Sequence, residues 1–359
     1  MKKILFVAHS LGLGGIETAL ISLLKNIDYK KYDVTLILEE KKGEFLNDVP
    51  ASVKILEYNT SKSNNIIKRK ICNRLKLIFW KLKLKNRYDF SASYATYYEV
   101  GSKLALAASK NSAIWIHNNY YTLYNKNKDD MKKYLDTLMI TKFKKMVFVS
   151  KESLTDICLN YPELKNKAIF CNNFIDYNKI LELSKEKIDL HYDVPVLVNV
   201  GRHDEKQKKI HRIIGSALKL KNKGYKFKIL LIGSGKDTEE YKKCVKEYNL
   251  EEYIIFLGFK KNPYPYIKSS DAVLLSSDYE GYPVVFIETL ILNKPIISTK
   301  VSDYHELDGK YGIFEEISYD GVYKAMKKFL DEGFEIEKTF DYKKFNEDIL
   351  KVLENEIFD

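Results

Sequence analysis

The stretch AVLLSSDYEGYPVVFIETLILNKPIIST, residues 272–299, decides how the chain folds. AVLLSS (272–277) and PIIST (295–299) are apolar runs of strand length, each bounded by polar or turn-forming residues. Between them Pro283 suits the first position of a helix, where its missing N–H removes no hydrogen bond, and the apolar VVFIETLIL follows. Strand, helix and strand in that order make the crossover unit of a parallel sheet.

The same order runs along the whole chain. In the first half KILFVA (3–8), DVTLILE (33–39), SVKILEY (52–58), FSASYA (90–95), AIWIH (113–117), MVFVS (146–150) and AIFC (168–171) read as strands between helical patterns. PVLVNVG (195–201) restarts the series, and FKILLIG (227–233) and YIIFLGF (253–259) carry it to the opening stretch. The restart predicts two doubly wound, Rossmann-like α/β domains, residues 1–175 and 176–340, with the boundary in the polar DYNKILELSKEKIDLHYD (176–193). Ligands of open parallel sheets bind outside the carboxyl ends of the strands, so two facing sheets predict a ligand in a central cleft.

Composition limits the partners. With 359 residues, 45% of them hydrophobic and 13% aromatic, the chain has material for two cores and is not a disordered sequence. No apolar run approaches the roughly 20 residues that span a bilayer. MKKILFVAHSLGLGG has the basic start of a leader, but ILFVA is short and runs straight into glycine-rich sequence, so it reads as the first core strand. Cys72, Cys158, Cys171 and Cys244 form no close pair, which fits reduced thiols in a cytoplasmic protein.

The net charge of +11 sits in the first half, where residues 1–175 hold 30 basic against 16 acidic side chains, while residues 176–359 hold 30 against 33. Residues 58–88 carry ten basic side chains and no acid. Within them Ile67, Ile71, Leu75, Ile78 and Leu82 recur at the period of an amphipathic helix, and Phe79 and Trp80 widen its apolar face. Two readings stay open for residues 62–87: a helix in the headgroup region of an anionic membrane, or a core-packed helix with a solvated lysine face. The run carries no recognisable reader motif, so nucleic acid is not an expected partner.

Three segments after strands carry chemistry. HSLGLGGIETALISLL (9–24) places Gly12, Gly14 and Gly15 before a helix beginning near Ile16, where glycine amides and a helix N-terminus can receive a phosphate. The spacing is not the dinucleotide fingerprint, and such a turn is also a purely steric device. VGRHDEKQKKIHRIIGSAL (200–218) sets Arg202 at a strand end and Lys208 ahead of a helix, two cations suited to a diphosphate. In the opening stretch Glu280 falls in the loop and Glu288 in the second helical turn, too far apart at about 1.5 Å rise per residue to share a proton. They bracket the amides of Gly281, Tyr282 and Val284. An anion site flanked by hydroxyl-accepting carboxylates suits a nucleotide diphosphate sugar. A solvated Glu280 and a helix-surface Glu288 are the plain alternative.

SSDYEGYPVVFIETLILNKPIIST closely resembles the E-x7-E signature of glycosyltransferase family 4, retaining enzymes of the GT-B fold. The likeness extends over nearly the whole chain: GGIETALISLL resembles the family's N-terminal Gly-Gly turn, FCNNFID (170–176) its N-x-x-D, VGRHDEKQKK its Arg…Lys clamp, LLIGSGKDTEEY (230–241) its G-x-G strand end, and KVSDYHEL (300–307) the loop that follows. The chain departs from the pattern at Asn293, where Gly often precedes Lys-Pro, and at Ser302-Asp303, where a Gly pair is usual.

The resemblance implies a retaining hexosyl- or N-acetylhexosaminyltransferase that moves a sugar from a nucleotide diphosphate donor, UDP-linked, to a hydroxyl of a lipid-linked or cell-surface polysaccharide intermediate. By position, Arg202 and Lys208 would grip the donor diphosphate, Glu280 the sugar hydroxyls and Glu288 the ribose. Gly14 and Gly15 would offer amides to the phosphate, Gly281, Tyr282, Pro283 and Val284 would line the donor, and His117 would join Glu280 as a catalytic residue. For His117 a strand-end histidine bonded to neighbouring backbone is the other reading. No metal or other cofactor is expected, because no D-x-D stands at a strand end. The helical pattern at 341–359 is implied to return to the first domain. The expected setting is bacterial, cytoplasmic and peripheral at the inner face of the cell membrane. A GT-B nucleotide-sugar epimerase and a non-enzymatic membrane- or nucleic-acid-binding protein are the alternatives.

Overall fold

The computed structural model describes residues 1–12 and 14–359. Its first sheet has seven strands: β1 (Lys2–Ala8), β2 (Tyr32–Leu38), β3 (Lys54–Glu57), β4 (Phe90–Ser93), β5 (Ser112–Ile116), β6 (Lys145–Phe148) and β7 (Ala168–Phe170). Its second has six: β8 (Val196–Val200), β9 (Lys228–Ile232), β10 (Ile254–Gly258), β11 (Ala272–Leu274), β12 (Ile296–Thr299) and β13 (Gly312–Glu315). The orders are β3-β2-β1-β4-β5-β6-β7 and β10-β9-β8-β11-β12-β13, and neighbours pair in parallel. This is the doubly wound architecture that the strand-helix alternation predicts.

The strands are apolar on both faces, because helices cover both. Ile4, Leu5, Phe6 and Val7 of β1 are wholly buried, as are Ile229, Leu230 and Leu231 of β9. The covering helices are α1 (Gly15–Asn26), α2 (Ile66–Leu84), α3 (Glu99–Ala108), α4 (Tyr120–Leu123), α5 (Lys128–Thr137) and α6 (Lys151–Asn160), then α7 (Tyr177–Leu183), α8 (Ile210–Lys221), α9 (Thr238–Glu247), α10 (Tyr264–Ser269), α11 (Val284–Ile291), α12 (Tyr319–Glu332) and α13 (Tyr342–Val352). No helix among the described residues is long and apolar enough to cross a membrane.

The chain forms two compact units. One comprises Met1–Ile175 with Lys343–Asp359, the other Asp176–Tyr342. Within the first, Phe358 is buried with its ring centroid 5.2 Å from Phe90, 5.3 Å from Tyr32 and 6.3 Å from Phe6. Asn346 donates to the Ile175 carbonyl at 2.7 Å and accepts from its amide at 3.3 Å.

Three details differ from the sequence expectation. The strand GIFE (312–315) went unnoticed because it offers only two large apolar residues, Ile313 and Phe314, at the edge of the second sheet. AVLLSS is strand only as far as Leu274, since Ser276 and Ser277 already turn into side-chain hydrogen bonds. Trp80 does not widen the apolar face of α2. It is buried against Tyr58, 5.9 Å between rings, on the side that meets the protein. The apolar stripe itself faces outward: Ile67, Ile71, Leu75, Ile78, Phe79 and Leu82 are all exposed, so the core-packed reading of that stripe fails.

Doubly wound sheets bind ligands where the strand order reverses. That point lies between β1 and β4 in the first sheet and between β8 and β11 in the second.

Candidate functional site

In the second unit the two segments flanking the reversal, 201–209 after β8 and 275–283 after β11, are tied together. The Ser276 hydroxyl donates to the carbonyls of Lys208 and Lys209 at 2.8 and 3.0 Å, and the Asp278 amide donates to the Gln207 carbonyl at 2.9 Å. From the first turn of α8, Arg212 reaches the Asp278 carboxylate at 2.6 Å and the Ser276 carbonyl at 3.0 Å.

This frame brings the expected cations and carboxylate together. Lys208 Nζ lies 2.6 Å from Glu280 Oε1, which also accepts from the Ser277 hydroxyl at 2.7 Å, while Gln207 Nε2 reaches Glu280 Oε2 at 3.3 Å. Gln207 Oε1 in turn accepts from Arg202 Nη2 at 3.3 Å. Arg202, Gln207, Glu280 and Lys208 thus form one continuous network. Glu280 is buried and Arg202 is exposed, so the network runs from the interior to the surface. The Lys208 ammonium has three protons, which leaves it donors for an anion beyond the one aimed at Glu280.

Glu280 leads into α11, whose first helical residue is Val284. Pro283 therefore sits one position earlier than predicted, as the extended cap residue with φ −61° and ψ 117°. Its ring-fixed φ suits either place. The Phe286 amide already bonds the Pro283 carbonyl at 2.9 Å, and the first turn of any helix leaves further N–H groups open to an acceptor. Tyr282 is buried beside Phe286. The Gly281 carbonyl accepts the Ser302 hydroxyl, which fastens the loop after β12 to this turn. Ser302 and Asn293, two of the positions that depart from the family pattern, have φ of 58° and 55°, the left-handed region that glycine favours.

Glu288 belongs to a separate network. It is buried in the second turn of α11 and accepts the Tyr264 hydroxyl of α10 at 3.0 Å. Burial pushes its pKa up to about 7, opposed by that single hydrogen bond. The structure thus gives the two glutamates different environments: Glu280 holds three donors on its two oxygens with acceptor capacity left, Glu288 is desolvated with one.

In the first unit Gly14 caps α1 with an extended backbone, and Gly15 is the first helical residue, one before Ile16. A Cβ on Gly14 would come within 2.3 Å of Glu17 Oε2, the far end of a flexible side chain that can swing aside, so this approach does not by itself require glycine. Glu17 also accepts the Tyr97 hydroxyl at 2.7 Å. His117 stands just past β5, its ring 4.8 Å from that of Tyr94. It is buried, and neither ring nitrogen has a hydrogen-bond partner among the described residues. Burial pushes its pKa down to about 3, an effect the Tyr94 backbone opposes without closing a bond, so the ring is neutral. Neither nitrogen of His117 makes a backbone hydrogen bond of normal geometry, although the Tyr94 backbone lies close enough to act on the ring. A buried imidazole left unpaired costs about 1–3 kcal/mol, which a ligand hydroxyl would recover.

Several neighbours escaped the sequence reading. Gln207, Ser277 and Tyr264 organise the two glutamates, and His9 at the end of β1 pairs with Glu39 at the end of β2 at 2.7 Å, with the Thr60 hydroxyl on the other Glu39 oxygen at 2.7 Å. A polar residue directly after a strand was the signal available for His9 and Glu39.

Residues 182–358 match the family model of glycosyl transferases group 1. The N-acetylgalactosamine-N,N'-diacetylbacillosaminyl-diphospho-undecaprenol 4-alpha-N-acetylgalactosaminyltransferase of Campylobacter jejuni is 28% identical over 353 residues, covering 92% of this chain and 91% of its own. An uncharacterised glycosyltransferase of Methanocaldococcus jannaschii is 28% identical over 225 residues, 60% of this chain and 55% of that one. Among solved structures, HepE of Anabaena in complex with UDP-glucose superposes with a TM-score of 0.77 at 15% identity, over 99% of this chain and 100% of its own. TarM of S. aureus does so with a TM-score of 0.71 at 13% identity, over 100% and 97%. The likeness to both structures is one of fold, GT-B.

Proposed function

We propose that this glycosyltransferase moves a hexosyl or N-acetylhexosaminyl group from a UDP-linked donor to a hydroxyl of a lipid-linked saccharide, with retention at the anomeric carbon. The observation that carries the reading is the Arg202–Gln207–Glu280–Lys208 network beside the start of α11, at the strand reversal of the second sheet. Arg202 and Lys208 hold the diphosphate, and together with the open amides of the Gly281–Val284 turn they stabilise the charge that develops on it as the sugar leaves. Fixed cations and amides take the place of a metal. Glu280, already oriented by Ser277 and Gln207, accepts the donor sugar hydroxyls. Ionised Glu288 accepts the ribose hydroxyls. Within the first unit, the amides of Gly14 and Gly15 at the start of α1 suit a phosphate, and neutral His117 can donate from one nitrogen and accept at the other. In a same-face displacement the departing phosphate takes the acceptor proton, so no protein base is required.

The UDP-glucose held by HepE and the diphospho-undecaprenol in the name of the C. jejuni relative support donor and acceptor class. The setting this implies is the cytoplasmic face of a membrane, with the enzyme attached peripherally.

The test is incubation with a panel of UDP-sugars and a lipid-diphosphate saccharide, followed by mass spectrometry and NMR of the product. An α-linked product from an α-linked donor, lost in Arg202→Ala and Glu288→Ala, is the expected result. A β-linked product would overturn retention, and a nucleotide sugar released with one stereocentre inverted would make the protein an epimerase.

A further inference from the structure

We infer that α2 is a membrane-contacting helix that lies flat on an anionic lipid surface, with its apolar stripe inserted among the headgroups and its basic side chains at the water line. Besides Ile66 at the helix start, six large apolar residues of this one helix stand in solvent on one side: Ile67 at 72%, Ile71 at 54%, Leu75 at 62%, Ile78 at 49%, Phe79 at 61% and Leu82 at 67%. At 3.6 residues per turn they fall within a stripe about 120° wide.

The opposite side meets the protein. Trp80 and Leu84 are buried, Leu77 packs partly against the same core, and Asn73 Oδ1 accepts the Ser61 amide at 2.7 Å. Helical spacing sets Lys70, Arg74 and Lys81 along one border of the stripe and Arg69, Lys76 and Lys83 along the other. Long basic side chains in that place can lay their stems on apolar surface and keep their charges in water.

Charge selects the occupant. Ten basic side chains and no acid between residues 58 and 88 complement an anionic lipid surface, whereas a second copy of this chain docking stripe to stripe would bring two such fields together. At 19 residues α2 is about 28 Å long, enough to lie along a surface. Its first turn follows the loop after β3, with Lys76 Nζ bonded to the Asn59 carbonyl at 2.5 Å. It therefore begins at the carboxyl edge of the first sheet, where His9, Glu39 and His117 stand. If the acceptor is lipid-linked, as proposed above, the helix brings that edge to the surface that carries it. Surface binding itself does not depend on that reading.

Flotation of the full chain with vesicles of phosphatidylcholine alone, and with 30% phosphatidylglycerol added, tests the inference. Binding to the anionic vesicles, weakened by 0.5 M salt, and little to the neutral ones is the expected pattern. Ile71→Ser, Leu75→Ser and Phe79→Ser together should abolish binding. Lys70→Gln, Arg74→Gln and Lys81→Gln together should weaken it roughly a hundredfold. Unchanged circular dichroism and melting would show that both sets fold, as their exposure implies. Full binding by both variants would overturn the inference. So would equal binding to neutral vesicles, or a dimer in sedimentation that the serine set dissociates. If anionic vesicles bind yet no sugar is transferred to any acceptor, the proposed function falls and this inference stands.

Discussion

Glu288 shows how much a single environment can set. Its folded pKa, about 7, lies above the ordinary carboxylate value of 4.5, because burial disfavours the charged form. In the ligand-free fold the carboxyl is thus about half protonated near pH 7. Stability from this group is full below about pH 4.5 and lost as pH rises through about 7, a difference of about 3 kcal/mol. Glu288→Gln should remove that slope and raise the melting temperature at pH 8, while Tyr264→Phe, which deletes the bond favouring the carboxylate, should move it to higher pH. On the proposed role of Glu288 as acceptor for the ribose hydroxyls, UDP titrated by calorimetry should bind more weakly below about pH 7 in the wild type. The two cations should separate in another way. Arg202→Ala removes an exposed side chain and should leave stability within about 0.5 kcal/mol while raising the donor KM. Lys208→Ala strips a partner from buried Glu280, but Ser277 and Gln207 remain, so we expect about 1–3 kcal/mol in chemical denaturation together with lost donor binding. Arg202 and Glu280 drew notice in the sequence as charged residues in loops that follow apolar strands, where open parallel sheets receive their ligands, Lys208 as a cation just ahead of a helix, and Glu288 by its spacing from Glu280. Gln207, Ser277 and Tyr264 did not, since a neutral polar residue draws notice only when its partner is seen.

Among the elements, twelve of the thirteen strands follow from apolar runs of the right length, and GIFE shows the limit of that rule. The helices expose a deeper limit. Periodicity divides α2 into two faces, yet it cannot say which face meets the protein, and here a few residues, Trp80 and Leu84 among them, hold the body while the six large ones of the stripe face out. The terminal segment after α13 is the contrary case, with an aromatic ring seated in a core formed far away in sequence. Phe358→Ala should cost about 3–5 kcal/mol, read as a lower denaturation midpoint of the first unit. Nothing in a local pattern around FEIEKTFDYKKFNEDILKVLENEIFD names Phe6, Tyr32 and Phe90 as its partners.

For the whole molecule, the first unit is assembled from two separated stretches, 1–175 and 343–359. Deleting residues 343–359 should lower amide-exchange protection in β1 and β4, which lie under Phe358, and leave β8 to β12 protected; equal loss in both sheets would contradict this. The excess of positive charge lies in the first half of the sequence, so raising salt should weaken lipid contact by that half more than nucleotide binding by the second. Lys2 and Asp359 form an ion pair, so residues 2 and 359 lie side by side in the first unit. A short peptide joining residue 359 to residue 1, with a new opening between 342 and 343, would rewrite the gene as two uninterrupted modules in series. Such a rearranged chain could be cut at one place, and each half studied as a separate folding body.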